Sequence, residues 1–214
     1  MTLYLPEQNA VFLRVPKVAS AYITAVLQGL VECRIIAHAH DTLSMVKSYN
    51  PDLWSGNPPT IFAFIRHPVS WYTSYFRFRM GGFNDGHTVM PPGSWKPFTE
   101  NHLLGPIDAC GDSDVNEFIM RCIMRHPGFL TDLFNRYCLD AGTEIQFVGR
   151  YENLHEDLYA ILVRKLGIYD YKYRTVVGSI QPLNVSVSQS VVLSQSTISA
   201  IHAAEYGIIK RFWT

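Results

Sequence analysis

Four short apolar runs alternate along the chain with segments of helical periodicity, and this alternation limits the possible folds more than any other feature. The runs are residues 10–15, 33–37, 60–65 and 144–149. Each is short and apolar, as buried strands are. Strands that alternate with helices favour an α/β fold with a mainly parallel sheet. We therefore predict a three-layer sandwich in which helices flank a central, mainly parallel sheet.

The predicted helices are interrupted by one long stretch without periodicity. Helices are predicted over residues 19–31, 42–49, 68–80, 114–125, 128–141, 153–166 and 196–213, with a weakly alternating segment at 183–193. Asp114 and Glu117 form a capping-box pattern, and Gly167 is a predicted helix C-cap. Residues 80–112 are rich in glycine and proline, and a loop this long is usually functional. We predict one domain over residues 1–214, with a lid or acceptor-binding insertion at 80–112.

The composition disfavours several classes of protein. Of the 214 residues, 48% are hydrophobic and 17% are charged, which excludes extensive disorder. The 18 basic and 18 acidic residues cancel, so no general positive field favours nucleic-acid binding. No secretory signal is visible, no run approaches the roughly 18 apolar residues of a membrane span, and the four cysteines form no C-x-x-C pair. We expect a cytoplasmic protein; the sequence does not set its oligomeric state.

The segment between the first strand and the first helix has the features of an anion-binding loop. It reads Val15-Pro16-Lys17-Val18-Ala19-Ser20-Ala21-Tyr22. Backbone N–H groups at a helix N-terminus attract an anion, Lys17 adds a mobile positive charge, and Ser20 adds a hydroxyl donor. The spacing is not that of a Walker A loop. The alternative is a surface lysine in a tight connection.

A second polar segment follows the third strand. It reads Ile65-Arg66-His67-Pro68 and continues into a helix that contains Ser74. An arginine at the end of a buried strand is costly unless it meets an anion. Arg66 and Ser74, which lies two turns into the helix, can converge on one phosphate group. The alternative is an arginine that caps a carboxylate, with a serine that fills space.

Together the two segments resemble those of the sulfotransferases that use 3′-phosphoadenosine 5′-phosphosulfate (PAPS), a family with a P-loop-like α/β fold. PKVASAY resembles the family's lysine-containing loop for the 5′-phosphosulfate, and RHPVSWYTS resembles its arginine and serine for the 3′-phosphate. GRYENL, from Gly149 to Leu154, is similar to the Tyr-Glu-Asp-Leu segment after the family's last core strand. The chain departs from the family at Ala19, where many members have glycine, and at Asn153, where aspartate is common. It also lacks the Arg-Lys-Gly segment of the cytosolic subfamily.

The resemblance implies a role for each residue that matches a phosphate motif. Lys17 is expected to contact the 5′-phosphosulfate and to stabilise charge on the bridging oxygen. Ser20 and the amides of the loop from Pro16 to Ala21 are expected to hold the same group. Arg66 and Ser74 are expected to bind the 3′-phosphate.

Two tyrosines match positions near the donor's base in the same family. Tyr22 occupies a position where the family often has an aromatic residue that stacks on adenine; the alternative is a core residue of its helix. Tyr151, in the GRYENL segment, is a second residue expected near the base.

Transfer to a hydroxyl also needs a general base for the acceptor's proton, and the family uses a histidine or a glutamate. His40 is the preferred candidate and His38 the reserve, because both follow the second strand and share one face if the strand geometry continues. With Asp41 as a third ligand the pair permits a metal site, but two histidines alone are a weak metal pattern. A surface histidine is the plain alternative for either residue, and we expect no metal.

The resemblance implies an enzyme that moves a sulfuryl group from PAPS to a hydroxyl of a small molecule, lipid or glycan and releases adenosine 3′,5′-bisphosphate (PAP). Residues 80–112 are the expected acceptor-binding segment, because aromatic side chains such as Trp95 lie among its glycines and prolines. The alternative for this segment is a packed surface excursion. The alternatives are a catalytically inactive nucleotide-binding protein of the same fold and a small P-loop-like kinase. The lack of a Walker A loop and of a clear magnesium carboxylate disfavours the kinase.

Overall fold

A computed structural model describes residues 1–38, 41–81, 83–84, 89–90, 95, 103–139, 145–180 and 191–213. The chain divides into two compact units. The first unit comprises Met1–Arg66 and Phe134–Asn184, and the second comprises His67–Leu133 and Val185–Thr214. The predicted single domain and the predicted role of residues 80–112 stay predictions, and much of that segment lies outside the described residues.

The first unit contains a five-stranded open sheet. Its strands are β1 (Thr2–Leu5), β2 (Ala10–Phe12), β3 (Arg34–Ala37), β4 (Thr60–Ile65) and β7 (Phe147–Arg150), in the order β3-β1-β2-β4-β7. Strand β1 runs antiparallel to both neighbours, whereas β2, β4 and β7 run parallel to one another. The predicted α/β class with a mainly parallel sheet flanked by helices is confirmed.

Strand β1 was not predicted from the sequence. It is only four residues long, and its residues are almost fully buried between β2 and β3. Its pairing with β2 needs only the turn at Pro6–Asn9, in which Asn9 adopts a positive φ of 43°. So short a run carries too little periodicity to identify it as a strand.

The helices of the first unit are α1 (Ser20–Leu30), α2 (Leu43–Tyr49), α7 (Leu154–Tyr159) and α8 (Asp170–Ser179). Helix α8 was not predicted. The helix predicted over 153–166 forms as α7 followed by a π-helical segment at Ala160–Lys165. Gly167 follows it with a φ of 73°, which confirms the predicted glycine cap.

The second unit is mainly helical. Its elements are α3 (Pro68–Met80), the short paired strands β5 (Phe83–Asn84) and β6 (Val89–Met90), α4 (Gly105–Asp108), α5 (Val115–Arg125), α9 (Gln195–Ala204) and α10 (Tyr206–Phe212). Helix α6 (Phe129–Cys138) begins in this unit and ends in the first. Asp114 caps α5 as predicted, through the backbone N–H groups of Asn116 and Glu117. The single helix predicted over 196–213 is instead broken at Glu205, and the segment at 183–193 lies mostly outside the described residues.

Two fully buried carboxylates tie the helices of the second unit together. Asp108 lies in α4 and accepts from the Tyr75 hydroxyl at 2.9 Å and from Arg79 Nη2 at 3.2 Å, and all of the Arg79 side chain is buried with it. Glu205, at the break between α9 and α10, accepts from the Tyr72 hydroxyl and the backbone N–H of Leu130 at 2.9 Å each. Hydrogen-bond donors within the protein therefore compensate the charge of both carboxylates.

Candidate functional site

The predicted anion-binding loop is a tight turn between strand β2 and helix α1. Lys17 and Ala19 both have left-handed backbone conformations, with φ of 63° and 59°. The Ser20 hydroxyl donates to the carbonyl of Val15 at 2.7 Å, which closes the turn. Turns with left-handed residues are typical of concave backbone sites that present N–H groups to anions. Because the hydroxyl proton of Ser20 is donated within the loop itself, the hydroxyl oxygen can only accept a further hydrogen bond.

Ala19 makes this loop strained. It is the N-cap residue of α1, has the left-handed conformation and offers no side-chain cap to the first turn. A residue with a Cβ atom in this conformation costs on the order of 1–3 kcal/mol. The alanine that departs from the family's common glycine therefore stands at a position where glycine is conformationally easier.

The structure brings Lys17, Arg66 and Tyr151 together at the carboxyl ends of three parallel strands. Arg66 follows β4 and donates from Nη1 to the carbonyl oxygen of Lys17 at 3.4 Å. Its guanidinium carbon lies 3.9 Å from the centre of the Tyr151 ring, which follows β7. This is the edge at which ligands bind in α/β folds. Three residues named from the sequence thus form one cluster.

The pKa of Lys17 is affected by burial and by a second cation, Arg66. Lys17 is half-buried, and burial lowers its pKa to about 8 from the usual 10.5, with the nearby positive charge of Arg66 as the second cause. Both effects disfavour the protonated ammonium. The negative charge of an anion bound beside the two side chains would offset both effects, so the arrangement favours anion binding.

The segment after β7 is anchored by residues that the sequence analysis did not single out. Asp157 Oδ2 accepts from the backbone N–H of Arg150 at 2.7 Å and from its Nε at 3.4 Å. The amide oxygen of Asn153 accepts from Arg150 Nη2 at 2.7 Å. Gly149 packs so closely on the Phe64 ring that a Cβ atom would overlap it. An acidic residue in the first turn after GRYENL was the available signal for Asp157.

Tyr22 and Ser74 belong to different units of the chain. Tyr22 is only 7% exposed, and its ring meets that of His155 edge-on at 5.7 Å. His155 also lines an open cavity of about 880 Å³ in the first unit, whose wall includes Tyr173. Ser74 lies in α3 of the second unit and is half-buried.

Of the two candidate bases, only His38 lies among the described residues. His38 is exposed immediately after β3, and its backbone N–H donates to Asp41 Oδ2 at 2.7 Å. Asp41 is 8% exposed, so this carboxylate serves as a turn cap. His40 lies outside the described residues. Within the described ranges, no group of three or more His, Cys, Asp or Glu side chains is placed to hold a metal ion.

The chain matches the model of one protein family, described as the sulfotransferase family, over residues 1–170. The comparison with curated proteins gave no match, and neither did the comparison with solved structures. Among the described residues, no helix has the length and apolar character needed to cross a membrane. The match spans both phosphate motifs and the GRYENL segment, and it supports sulfotransfer as the general activity. The chain belongs to the sulfotransferase family.

Proposed function

We propose that the protein is a PAPS-dependent sulfotransferase that moves the sulfuryl group to a hydroxyl of a small-molecule, lipid or carbohydrate acceptor and releases PAP. The observation that carries this proposal is the joining of Lys17 and Arg66 at the ends of β2 and β4, with the Arg66 guanidinium bonded to the Lys17 carbonyl. Family membership supplies the reaction class. The pair of cations supplies the charge that a donor with two phosphate-bearing ends requires.

The residues of the cluster fit such a donor. Burial and the positive charge of Arg66 both lower the pKa of Lys17, and a bound phosphate group would favour the charged form of the lysine. A guanidinium can bind a phosphate through two parallel N–H bonds, whereas an ammonium acts as a compact point charge. Arg66 therefore suits a terminal 3′-phosphate, and Lys17 suits the group where charge changes during the reaction.

Each donor residue has a proposed task. Lys17 and the loop from Pro16 to Ala21 hold the 5′-phosphosulfate, with backbone N–H groups at the start of α1 as further donors. Arg66 holds the 3′-phosphate, and the role of Ser74 in holding the same group stays a prediction from the family resemblance. Tyr22 contacts the adenine, and the cavity beside its neighbour His155 provides space for the nucleoside.

The chemical step requires charge stabilisation and one proton acceptor. PAPS supplies a sulfuryl group on a good leaving phosphate. The acceptor oxygen forms a bond to sulfur while the bond from sulfur to the bridging oxygen breaks, and Lys17 stabilises the charge left on that oxygen. His40, or His38 in reserve, takes the acceptor's proton. We propose no metal ion for this step.

Calorimetric titration with PAP, 5′-AMP and ATP tests the proposal. We expect PAP to bind tightest and Arg66→Ala to remove its advantage over 5′-AMP, because Arg66 meets the 3′-phosphate. Arg34→Ala is the matched control, since Arg34 is exposed and pairs with Glu32 on the surface. Equal binding of ATP and PAP would overturn the donor assignment and favour a kinase-like protein. Turnover of labelled PAPS in the presence of a chelator then separates the two classes of transferase.

A further inference from the structure

We infer that Tyr151 is a positioning residue that clamps the Arg66 guanidinium and thereby sets recognition of the 3′-phosphate, rather than a contact for the adenine. This inference rests on the proposed function. It assigns to the first residue after β7 a task different from the one that the family resemblance suggested.

The register of the sheet places the two residues side by side. In the β4–β7 ladder Ile65 pairs with Arg150, so Arg66 and Tyr151 are the next residues on the two parallel strands. The guanidinium carbon lies 3.9 Å above the Tyr151 ring centre, which is well within the roughly 6 Å limit of a cation–π contact. It is much closer than the 5.4 Å between Arg164 and the Tyr159 ring in the same unit. The contact is therefore a direct stack.

Both sides of the stack are held in place. Tyr151 begins a short 3-10 turn, Tyr151–Asn153, and the preceding Arg150 is fixed by Asp157 through its backbone N–H and by Asn153 through its guanidinium. On the other side, Arg66 Nη1 donates to the Lys17 carbonyl. One face of the Arg66 guanidinium thus packs against the Tyr151 ring, and one of its edges bonds to the Lys17 loop.

Stacking defines which parts of Arg66 can meet a ligand. The N–H groups of a guanidinium lie in its plane, so a ring against its face leaves the edges for hydrogen bonds. With that plane fixed, the guanidinium is held in a defined orientation, which favours bidentate contact with two phosphate oxygens. The ring face that the guanidinium covers is closed to an adenine. Substitution of Tyr151 should consequently weaken the binding of nucleotides that carry a 3′-phosphate and leave the affinity for other nucleotides unchanged.

The ratio of dissociation constants for 5′-AMP and PAP measures this effect, because only PAP has the 3′-phosphate. We expect Tyr151→Phe to keep the ratio within about twofold of the wild-type value, since the aromatic ring is retained. We expect Tyr151→Leu to lower it by about 5- to 20-fold, a typical range for loss of a partly desolvated cation–π contact. If Tyr151→Leu weakened both nucleotides equally, the residue would be a base contact and the clamp would be refuted.

A double-mutant cycle links the effect to Arg66. In an Arg66→Ala background, Tyr151→Leu should cause no further loss of PAP affinity, because the clamped group is gone. Tyr206→Leu is the matched control, since it removes an exposed tyrosine whose neighbouring cation, Lys210, lies further away at 5.7 Å, and it should leave the ratio unchanged. Additive losses from Tyr151→Leu and Arg66→Ala would overturn the inference.

A fluorination series keeps the test decisive if Tyr151→Leu does not fold. Phenylalanine with increasing numbers of ring fluorines at position 151 keeps the shape while it weakens the attraction of the ring for a cation. PAP affinity should fall stepwise with fluorine number, and a flat series would refute the clamp. Wild-type protein that bound PAP no better than 5′-AMP would instead refute the proposed donor, which separates the two failures.

Discussion

The charged groups at the sheet edge of the first unit and those in the core of the second unit are arranged in opposite ways. In the second unit, Asp108 and Arg79 are fully buried as an ion pair, and the Tyr75 hydroxyl supplies a further hydrogen bond. At the sheet edge, Lys17 and Arg66 are two cations side by side, and the positive charge of Arg66 contributes to the lowered pKa of Lys17. The first arrangement pairs opposite charges, whereas the second brings two like charges together, a grouping that favours a bound anion.

The two arrangements use different backbones as well. The buried carboxylates lie on or between regular helices, where packing fixes the side chains. The Lys17 loop instead contains two residues with positive φ, Lys17 and Ala19. Strained conformations of this kind persist only where the surroundings impose them, and they concentrate at functional sites. The buried ion pair and the proposed donor site thus lie in different regions of the chain.

The sharpest test of the comparison is to break the ion pair in the second unit. Asp108→Asn keeps the shape but leaves Arg79 charged and buried without its counter-ion, so we expect a loss of about 3–5 kcal/mol in the free energy of unfolding, read from chemical denaturation. Asp170→Asn is the control, because its pair with Arg174 is exposed and screened by water, so its effect on the free energy of unfolding should be far smaller. Equal effects of the two changes would contradict the comparison.

Removal of the Lys17 ammonium tests the other region. Lys17→Ala should lower kcat by about 10²- to 10³-fold, because the charge on the leaving oxygen loses its stabilising cation. The free energy of unfolding should not fall, since a half-buried cation beside Arg66 is removed. Turnover of labelled PAPS and denaturation are the two measurements, with the exposed Lys172→Ala as the control. Full turnover in Lys17→Ala would remove the residue from the mechanism.

The lowered pKa of Lys17 predicts a pH dependence. In the free enzyme kcat/KM should fall about tenfold per pH unit above about 8, as the ammonium loses its proton. Lys17→Arg should shift this alkaline limb to higher pH, because a guanidinium keeps its charge. Stability should move the opposite way: between pH 8 and 10.5 the unfolded chain binds more protons at Lys17 than the folded one, so the contribution of Lys17 to stability rises with pH. A limb that is unchanged in Lys17→Arg would assign it to another group.

The smallest expected effect concerns the strained alanine. Ala19→Gly should raise the free energy of unfolding by about 0.5–1 kcal/mol, because glycine adopts a φ of 59° without a Cβ penalty and this gain exceeds its entropic cost. Ala21→Gly, two residues further along in α1, should lower it by about 0.5–1 kcal/mol as in any helix. Thermal or chemical unfolding of both variants measures the difference. A destabilised Ala19→Gly would show that the loop is not strained at this position.

Local patterns were sufficient for the elements that carry the site. Strand β4 has the predicted bounds, Thr60–Ile65, because a continuous apolar run ends at Arg66 and Pro68 then starts a helix. The turn before α1 was predicted from its position between a strand and a helix. Strand β1 and the break at Glu205 were not predicted, because each depends on partners distant in the sequence.

The sequence by itself determined the α/β class, the family and the identity of the two cations, since these depend on periodicity and on motifs of a few adjacent residues. Only the tertiary structure decided how those cations are held. The stack of Arg66 on Tyr151 joins residues 85 positions apart in numbering, and the anchoring of Arg150 by Asp157 depends on how a helix follows a strand. Such contacts are set by strand register and burial, which short motifs do not contain.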